Sequence, residues 1–219
     1  MDRAIWDMWV QNWQWTLAAM ERKGFEVGGL EIGVPVSMEE IERVQRELQI
    51  ILPDDFVYVV THFAGSVQFS WHLGKFKLPE PYRGIFSGGA SPLWSVSGLR
   101  SDKEGYDGWV QNVFSNLDDP YDRVWHNKTA FLSVPNGDVI AFDVLGGGAN
   151  APVVYLSHEG DTSHGWRLGF NFVDFISRWS NIGCPGPEDW QFEPFYDPVA
   201  NIIRDAGPVV DAWKDWMSN

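Results

Sequence analysis

The sequence predicts an α+β fold, because helical and strand-like hydrophobic patterns occupy separate segments of the chain. Apolar residues recur at spacings of three and four near the N-terminus and again at 172–179, whereas they alternate with polar or small residues at 67–73. The first pattern is typical of helices and the second of strands with one covered face. With 219 residues, 44% of them hydrophobic, the chain can form one substantial core. We therefore expect a single domain.

Two helices with clear end signals are predicted near the N-terminus. An apolar stripe extends over residues 3–22, and Gly24 would end that helix. The stripe consists of Ile5, Trp9, Trp13, Leu17 and Met20. Ser37 and Glu40 then form a capping box for a helix over about 38–49.

A third helix and a strand follow directly. Pro53 is placed to occupy the first helical position of LPDDFVYVVTHFAG, and Gly65 would close that helix. The second and third helices thus form an N-terminal helical pair. The alternating stretch at 67–73 predicts a strand, with His72 on the face opposite to Trp71.

The second half of the chain predicts a hairpin, another strand and another helix. Asn136 and Gly137 lie between the apolar runs of TAFLSVPNGDVIAFDV and favour the positive φ of a type I′ turn. PVVYLSHE predicts a further antiparallel strand, and Asn171 begins a helical stripe that Gly183 ends. Residues 74–128 contain strand-like (SPLWSVSGL) and helix-like (GWVQNVFSNL) stretches. The Pro- and Trp-rich tail predicts a C-terminal helical extension.

The stretch SHEGDTSHG raises the question of a metal-dependent enzyme, since it contains His158, Glu159, Asp161 and His164. A zincin motif needs two His four residues apart on a helix, and Thr162 stands where the second His would be. A polar loop after a strand is the commoner interpretation of such a stretch. The alternative is a hydrolase with a metal bound by His158, Asp161 and His164.

The remaining chemical motifs are incomplete. The Gly-rich GGGAN at 146–150 lacks the Gly-Lys-Ser/Thr of a phosphate-binding loop. Cys184 follows a predicted helix end, away from the N-terminal position that activates a thiolate, and a single Cys cannot form an internal disulfide. We expect no cofactor, no bound metal and no enzymatic activity.

The chain is strongly acidic, with 30 Asp and Glu against 16 Lys and Arg and a formal net charge of −14. The electrostatic field of such a charge repels phosphate backbones and attracts basic partners, so direct nucleic-acid binding is disfavoured. No apolar stretch approaches the roughly 20 residues of a membrane span, and MDRAIWDMWVQNWQW lacks the pattern of a signal peptide. We predict a cytoplasmic protein without membrane contact.

Two acidic clusters between residues 102 and 122 are candidates for docking a basic protein, with aromatic residues nearby as anchors. The predicted partner-binding residues are Asp102, Glu104, Asp107, Trp109, Asp118, Asp119, Tyr121 and Asp122. Solvated loops are the commoner explanation of such clusters. Paired carboxylates for acid–base catalysis are a further alternative, which needs environments that separate their pKa values.

The order of the predicted elements resembles the SUKH superfamily, in its Smi/Knr cell-wall-regulator branch. The resemblance extends over residues of about 37–180 and rests on SMEEIERVQRELQI, LPDDFVYVVTHFAG, NGDVIAFDV, PVVYLSHEGD and NFVDFISRW. The positions that carry it are Leu52-Pro53, Asn136-Gly137-Asp138, Val153, Tyr155 and Phe172 to Phe175. In this family the His-Glu after the Val-Tyr strand is a recurring strand exit that is not associated with catalysis.

The resemblance implies an α+β domain in which helices pack on a curved antiparallel sheet, and it implies no cofactor. It divides the chain into an N-terminal helical extension (1–30), the family-like domain (31–183) and a C-terminal extension (184–219). Bacterial members are commonly immunity proteins that neutralise a cognate toxin, often a nuclease. Other members are regulators or scaffolds that bind an endogenous enzyme. We expect a polymorphic toxin domain as the partner, and the regulatory role is the alternative.

Overall fold

The computed structural model describes residues 1–74, 78–146 and 148–219 and confirms the α+β class. The helices are α1 Arg3–Arg22, α2 Met38–Leu48, α3 Asp54–His62, α4 Leu99–Asn112, α5 Pro120–Trp125, α6 Phe172–Asn181, α7 Asp189–Phe192 and α8 Pro208–Ser218. The strands are β1 Glu26–Ile32, β2 Ser66–His72, β3 Ser87–Ser95, β4 Lys128–Ser133, β5 Val139–Asp143, β6 Val153–Leu156, β7 Arg167–Gly169, β8 Tyr196–Asp197 and β9 Ile202–Ile203. Of the predicted Gly-rich loop, Gly147 lies outside the described residues.

The strands form antiparallel sheets of three strands (β1-β2-β3), four strands (β4-β5-β6-β7) and two strands (β8-β9). The strands expected in one curved sheet are thus divided between two larger sheets. The edge strands β3 and β4 approach each other within 8 Å between Cα atoms. This seam between the two sheets becomes important for the candidate site.

Local end signals place α1 and α2 where the sequence predicts them, and α3 close to its predicted start. Asp2 caps α1 by accepting a hydrogen bond from the Ile5 N–H at 3.0 Å, and the Ser37 Oγ accepts one from the Glu40 N–H at 3.2 Å. Pro53 differs by one position, because it is the residue before α3 and not the first residue inside it. These caps satisfy N–H groups that have no partner within the helix.

The β4–β5 hairpin differs from the predicted type I′ turn. The Gly137 N–H donates to the Val134 carbonyl at 2.9 Å, and the Val134 N–H donates to the Asp138 carbonyl at 2.9 Å. Gly137 has a φ of +103°, but Asn136 does not have the positive φ that a type I′ turn requires. The Asn136 side chain instead accepts the Asp138 N–H at 3.0 Å, so it stabilises a three-residue loop.

Both ends of the chain pack into the main core. The Trp13 indole is fully buried in α1 and donates to the Ser180 Oγ of α6 at 2.8 Å. The Trp213 indole of α8 is equally buried and donates to the Ile182 carbonyl at 2.8 Å. The division of the chain at residues 30 and 183 stays a prediction, since the terminal helices share one hydrophobic core with the rest. No described helix is both long and apolar enough to cross a membrane.

Candidate partner-binding surface

Residues 99–126, which we name the α4–α5 arm, cover the outer face of the four-stranded sheet. Tyr106, Phe114 and Trp125 of the arm pack on small and branched residues of that sheet, such as Ala130 and Ala141. The Phe114 and Trp125 rings stack with centroids 4.6 Å apart. The Tyr106 hydroxyl donates to the Trp125 carbonyl at 2.5 Å. We name this second hydrophobic cluster the outer cluster.

Three acidic residues that we predicted to lie in a loop belong instead to a helix. Asp102, Glu104 and Asp107 belong to α4, which begins nine residues before the predicted helix-like stretch. The Asp102 Oδ1 accepts from the Ser133 N–H at 3.1 Å and from the Ser133 Oγ at 2.7 Å, so it ties α4 to the end of β4. Asp107 pairs with Lys103 one turn away.

The second acidic cluster mixes residues that hold the arm together with residues that face solvent. The Asp119 Oδ1 accepts from the Tyr121 N–H at 2.8 Å as the N-cap of α5, and the Asp122 Oδ2 accepts from the Asn116 N–H at 2.9 Å. By contrast, the side chains of Asp118 and Glu104 are exposed and form no hydrogen bond or ion pair within the described residues. A partner could therefore use Glu104 and Asp118 without disturbing the arm.

The two predicted aromatic anchors, Trp109 and Tyr121, contact other parts of the protein. The Trp109 indole donates to the Gly137 carbonyl at 2.9 Å, and its ring lies 4.9 Å from that of His158. The Tyr121 hydroxyl donates to the Ser157 carbonyl at 2.5 Å, and its ring stacks on His164 at 3.9 Å. Both side chains are half-buried, so they brace the arm against SHEGDTSHG, and their role as partner anchors stays a prediction.

The sequence interpretation did not select the two apolar side chains that the arm exposes most. Val113 is 52% exposed and Leu117 is 57% exposed in the connection between α4 and α5. This connection, residues 113–119, is named the tip. Phe114, next to Val113, is buried in the outer cluster. Only the tertiary contacts decide which of these neighbouring apolar residues faces solvent, so no local pattern could have identified them.

A buried carboxylate connects the β4–β5 turn to the exit of β6. Asp138 is 1% exposed and accepts hydrogen bonds from the Tyr155 hydroxyl at 2.6 Å, the Asn136 amide at 2.7 Å and the His158 N–H at 2.9 Å. The His158 Nδ1 lies 2.6 Å from the same carboxylate. Burial and the hydrogen bond to Asp138 raise the pKa of the Tyr155 hydroxyl. His158 of the His-Glu strand exit thus supplies hydrogen-bond partners to a buried carboxyl group.

The polar groups of SHEGDTSHG bond mainly to one another and to the arm. The His164 Nδ1 accepts the Ser157 N–H at 3.2 Å, so its Nε2–H donates to the Tyr121 carbonyl at 3.0 Å. Burial lowers the pKa of His164. Burial also raises the pKa of Asp161, but hydrogen bonds from Ser163 and Ser157 outweigh it and lower that pKa overall. Among the described residues, no group of three or more His, Cys, Asp or Glu side chains is arranged to hold a metal ion.

A groove of about 380 Å³ lies at the seam between β3 and β4. Asp102 reaches it from α4, while Ser91 and Ser133 come from the two edge strands. Cys184, the only cysteine, is fully buried elsewhere, and burial raises the pKa of its thiol, as expected for an inert structural cysteine. The groove and the tip lie at opposite ends of the same helix, α4.

The chain is similar to a known protein family. The family model described as "SMI1 / KNR4 family (SUKH-1)" matches residues 35–178. The comparisons with curated proteins and with solved structures gave no match. The family match contains every position on which the sequence resemblance rests, from Leu52 to Phe175. Since it covers more than half of the residues, the chain belongs to the SMI1/KNR4 (SUKH-1) family.

Proposed function

We propose that this protein is an immunity protein, which binds and neutralises a cognate toxin of basic, nuclease type. Membership of the SUKH-1 family supports the coarser part of this statement, because the family is generally non-catalytic and its members bind other proteins. The toxin, and the surface that meets it, are our proposal. In this proposal the protein acts by covering the toxin's active surface and takes no part in a chemical step.

The tip carries the proposal. It places exposed Val113 and Leu117 within a few residues of the unpartnered carboxylate of Asp118. Apolar side chains that lose water on binding supply most of the energy of a protein interface, and charged groups around them supply orientation and rate. Because Asp118 has no internal partner within the described residues, it can pair with a Lys or Arg of the toxin at no cost to the arm.

The overall charge supports a basic partner. The net charge of −14 gives the surface a long-range attraction for cations, which accelerates encounter at low ionic strength. A nuclease that binds a phosphate backbone has a basic surface by the same reasoning. Rapid capture is what neutralisation inside a cell requires, since a free toxin molecule can act before it is bound.

Co-expression with the product of the neighbouring upstream gene tests this function directly. We expect cell survival and a complex that co-purifies with this protein. Survival should be lost in the variant Leu117→Asn/Asp118→Lys, whose substitutions remove one apolar anchor and reverse one free charge. Variants of Asp119 and Asp122 are less informative, because both side chains hold the arm together.

The matched control reverses charge elsewhere on the surface. Glu39 of α2 and Asp215 of α8 are exposed, and the double variant Glu39→Lys/Asp215→Lys should leave survival unchanged. Equal loss of survival in both variants would show that only the overall charge matters and would contradict the tip as the docking site. No rescue and no complex with the unmodified protein would overturn the immunity function and favour a regulatory scaffold.

A further inference from the structure

Residues of β3 and β4 form the two sides of the groove at the seam between the sheets. Ser91 and Pro92 line it from β3, whereas Phe131 and Ser133 line it from β4. Its volume of about 380 Å³ falls within the range of about 300–1,000 Å³ typical of ligand-binding sites. Residues of both apolar and hydroxyl type face the same space. Such a surface is suited to a polypeptide segment, which brings both side chains and peptide groups.

Two residues of β3 that line the groove, Gly88 and Gly89, must be glycine. A Cβ at Gly88 would lie 2.2 Å from the ring of Trp71. A Cβ at Gly89, whose φ is +72°, would lie 2.2 Å from the Phe69 carbonyl oxygen. The packing of β2 against β3 therefore requires glycine at both positions. The two glycines therefore line the groove with backbone alone, and Ser70 and His72 of β2 line it beside them.

One carboxylate in the groove has an oxygen available for a ligand. The Asp102 Oδ1 accepts both hydrogen bonds from Ser133, and no hydrogen bond to Oδ2 is formed within the described residues. Burial raises the pKa of Asp102, and the two hydrogen bonds from Ser133 offset this effect only in part. The described residues that line the groove include no Lys or Arg. A cation brought by a ligand would supply the missing compensation.

We infer that this groove binds an extended segment of the partner protein and that Asp102 receives an Arg or Lys side chain of that segment. The identity of the occupant as a toxin segment depends on the proposed function. The affinity for a cationic side chain depends only on the residues of the groove. At about 1.5 Å per residue, α4 carries its C-terminal end only about 15 Å from Asp102. A single partner of ordinary size can therefore cover the tip and also insert a segment at the seam.

The site itself is tested without any partner, with Nα-acetyl-arginine N-methylamide as the probe and amide resonances as the signal. We expect saturable shifts at Gly88, Gly89 and Ser133, and binding about tenfold weaker in Asp102→Asn. The citrulline analogue has the same shape without the charge and should bind as weakly to the unmodified protein. Glu39→Gln, at an exposed position of α2 that does not line the groove, is the control and should bind the probe normally. Equal binding of the two compounds, or shifts confined to other amides, would overturn the inference.

The occupant is tested on the complex obtained by co-expression. Ser91→Trp fills the groove from an exposed position, and we expect it to weaken partner binding by about 100-fold, as for a buried interface anchor. Ser218→Trp adds the same side chain at an exposed position of α8, and this variant should bind the partner normally. Thermal unfolding of both variants shows whether they are folded.

The outcomes separate the inference from the proposed function. Full affinity of folded Ser91→Trp for the toxin would overturn the groove as its docking site and leave the immunity function intact. A toxin that is never neutralised would overturn the proposed function and the occupant, while the arginine titration would still decide whether Asp102 binds a cationic side chain.

Discussion

The two faces of the four-stranded sheet are covered in different ways. On the inner face, Phe131 and Phe142 stack 4.3 Å apart and meet Phe172 of α6 and Phe56 of α3. These partners come from segments more than 100 residues apart in the chain, so the inner face links distant parts of the sequence. The large side chains there belong to the sheet and the helices alike.

On the outer face, the sheet contributes small residues and the arm contributes large ones. Ala130 and Ala141 leave room for Trp125, which stacks on Phe114. The arm is one continuous segment that packs on itself and on β4, β5 and β6. The difference suggests that the inner face determines whether the protein folds, whereas the outer face determines where the tip is held. A binding surface on such an arm can change without loss of the main core.

Removal of a ring from the inner face should give the largest loss of stability. Phe172 is fully buried and contacts several aromatic rings, so Phe172→Ala should lower the free energy of unfolding by about 3–5 kcal/mol. Urea denaturation measures this loss. Phe170→Ala, at a 51% exposed position two residues earlier, is the control and should cost less than about 1 kcal/mol. Similar losses in both variants would contradict the importance of the inner face.

Removal of a ring from the outer cluster should have a smaller and more local effect. Trp125 is fully buried, but its indole N–H has no hydrogen-bond partner within the described residues. We expect Trp125→Ala to cost about 3 kcal/mol, because a cavity forms next to Phe114 while one unsatisfied donor is removed. Hydrogen exchange should accelerate in α4 and α5 before it does so in α6.

The conservative variant Trp125→Phe sharpens this test. It retains an aromatic ring beside Phe114 and also removes the unpartnered N–H, so we expect a loss of about 1–2 kcal/mol. The arm should then remain ordered and toxin binding should persist. If hydrogen exchange accelerates uniformly over the molecule in Trp125→Ala, the two faces do not form separate units and the comparison fails.

The parts of the fold that depend on local signals could be predicted from the sequence. The cap residues Ser37 and Asn171 mark helix starts because their side chains accept backbone N–H groups three residues later. The first nine residues of α4 were missed because Gly98 precedes the helix without any side-chain cap, and because Gly105 and Gly108 within it lower helix propensity. The arm is helical because it packs on the sheet. These contacts join distant parts of the chain, so no local stretch of sequence reveals them.

The sequence indicated the acidic segment that forms the arm but not its arrangement, and the role of this segment as a binding surface stays a prediction. Acidic residues near 102–122 indicated the arm, yet their sequence does not distinguish Asp119, which caps α5, from Asp118, whose side chain has no partner among the described residues. The exposure of Leu117 and the meeting of β3 with β4 both depend on tertiary contacts. Asp102 illustrates the limit best, because its importance follows from a groove formed by strands on either side of it in sequence.

The smallest expected effect concerns pH and the loop that braces the arm. Burial lowers the pKa of His164 below its ordinary value of 6.5, so the unfolded chain binds its proton more readily than the folded protein. The contribution of His164 to the free energy of unfolding is therefore fully present above pH 6.5. It decreases as the pH falls from 6.5 to the lowered pKa of the folded state. The slope cannot exceed about 1.4 kcal/mol per pH unit for one proton.

Urea denaturation at about pH 7.5 and about pH 5.5 measures this contribution. Glu188 and Asp189 have pKa values raised by burial, so their contributions act in the opposite direction, and only a comparison between variants isolates His164. His164→Gln should lose less stability on acidification than the unmodified protein, whereas His62→Gln, at an exposed position, should behave like it. Parallel losses in all three proteins would show that His164 does not connect the arm to the sheet through its neutral form.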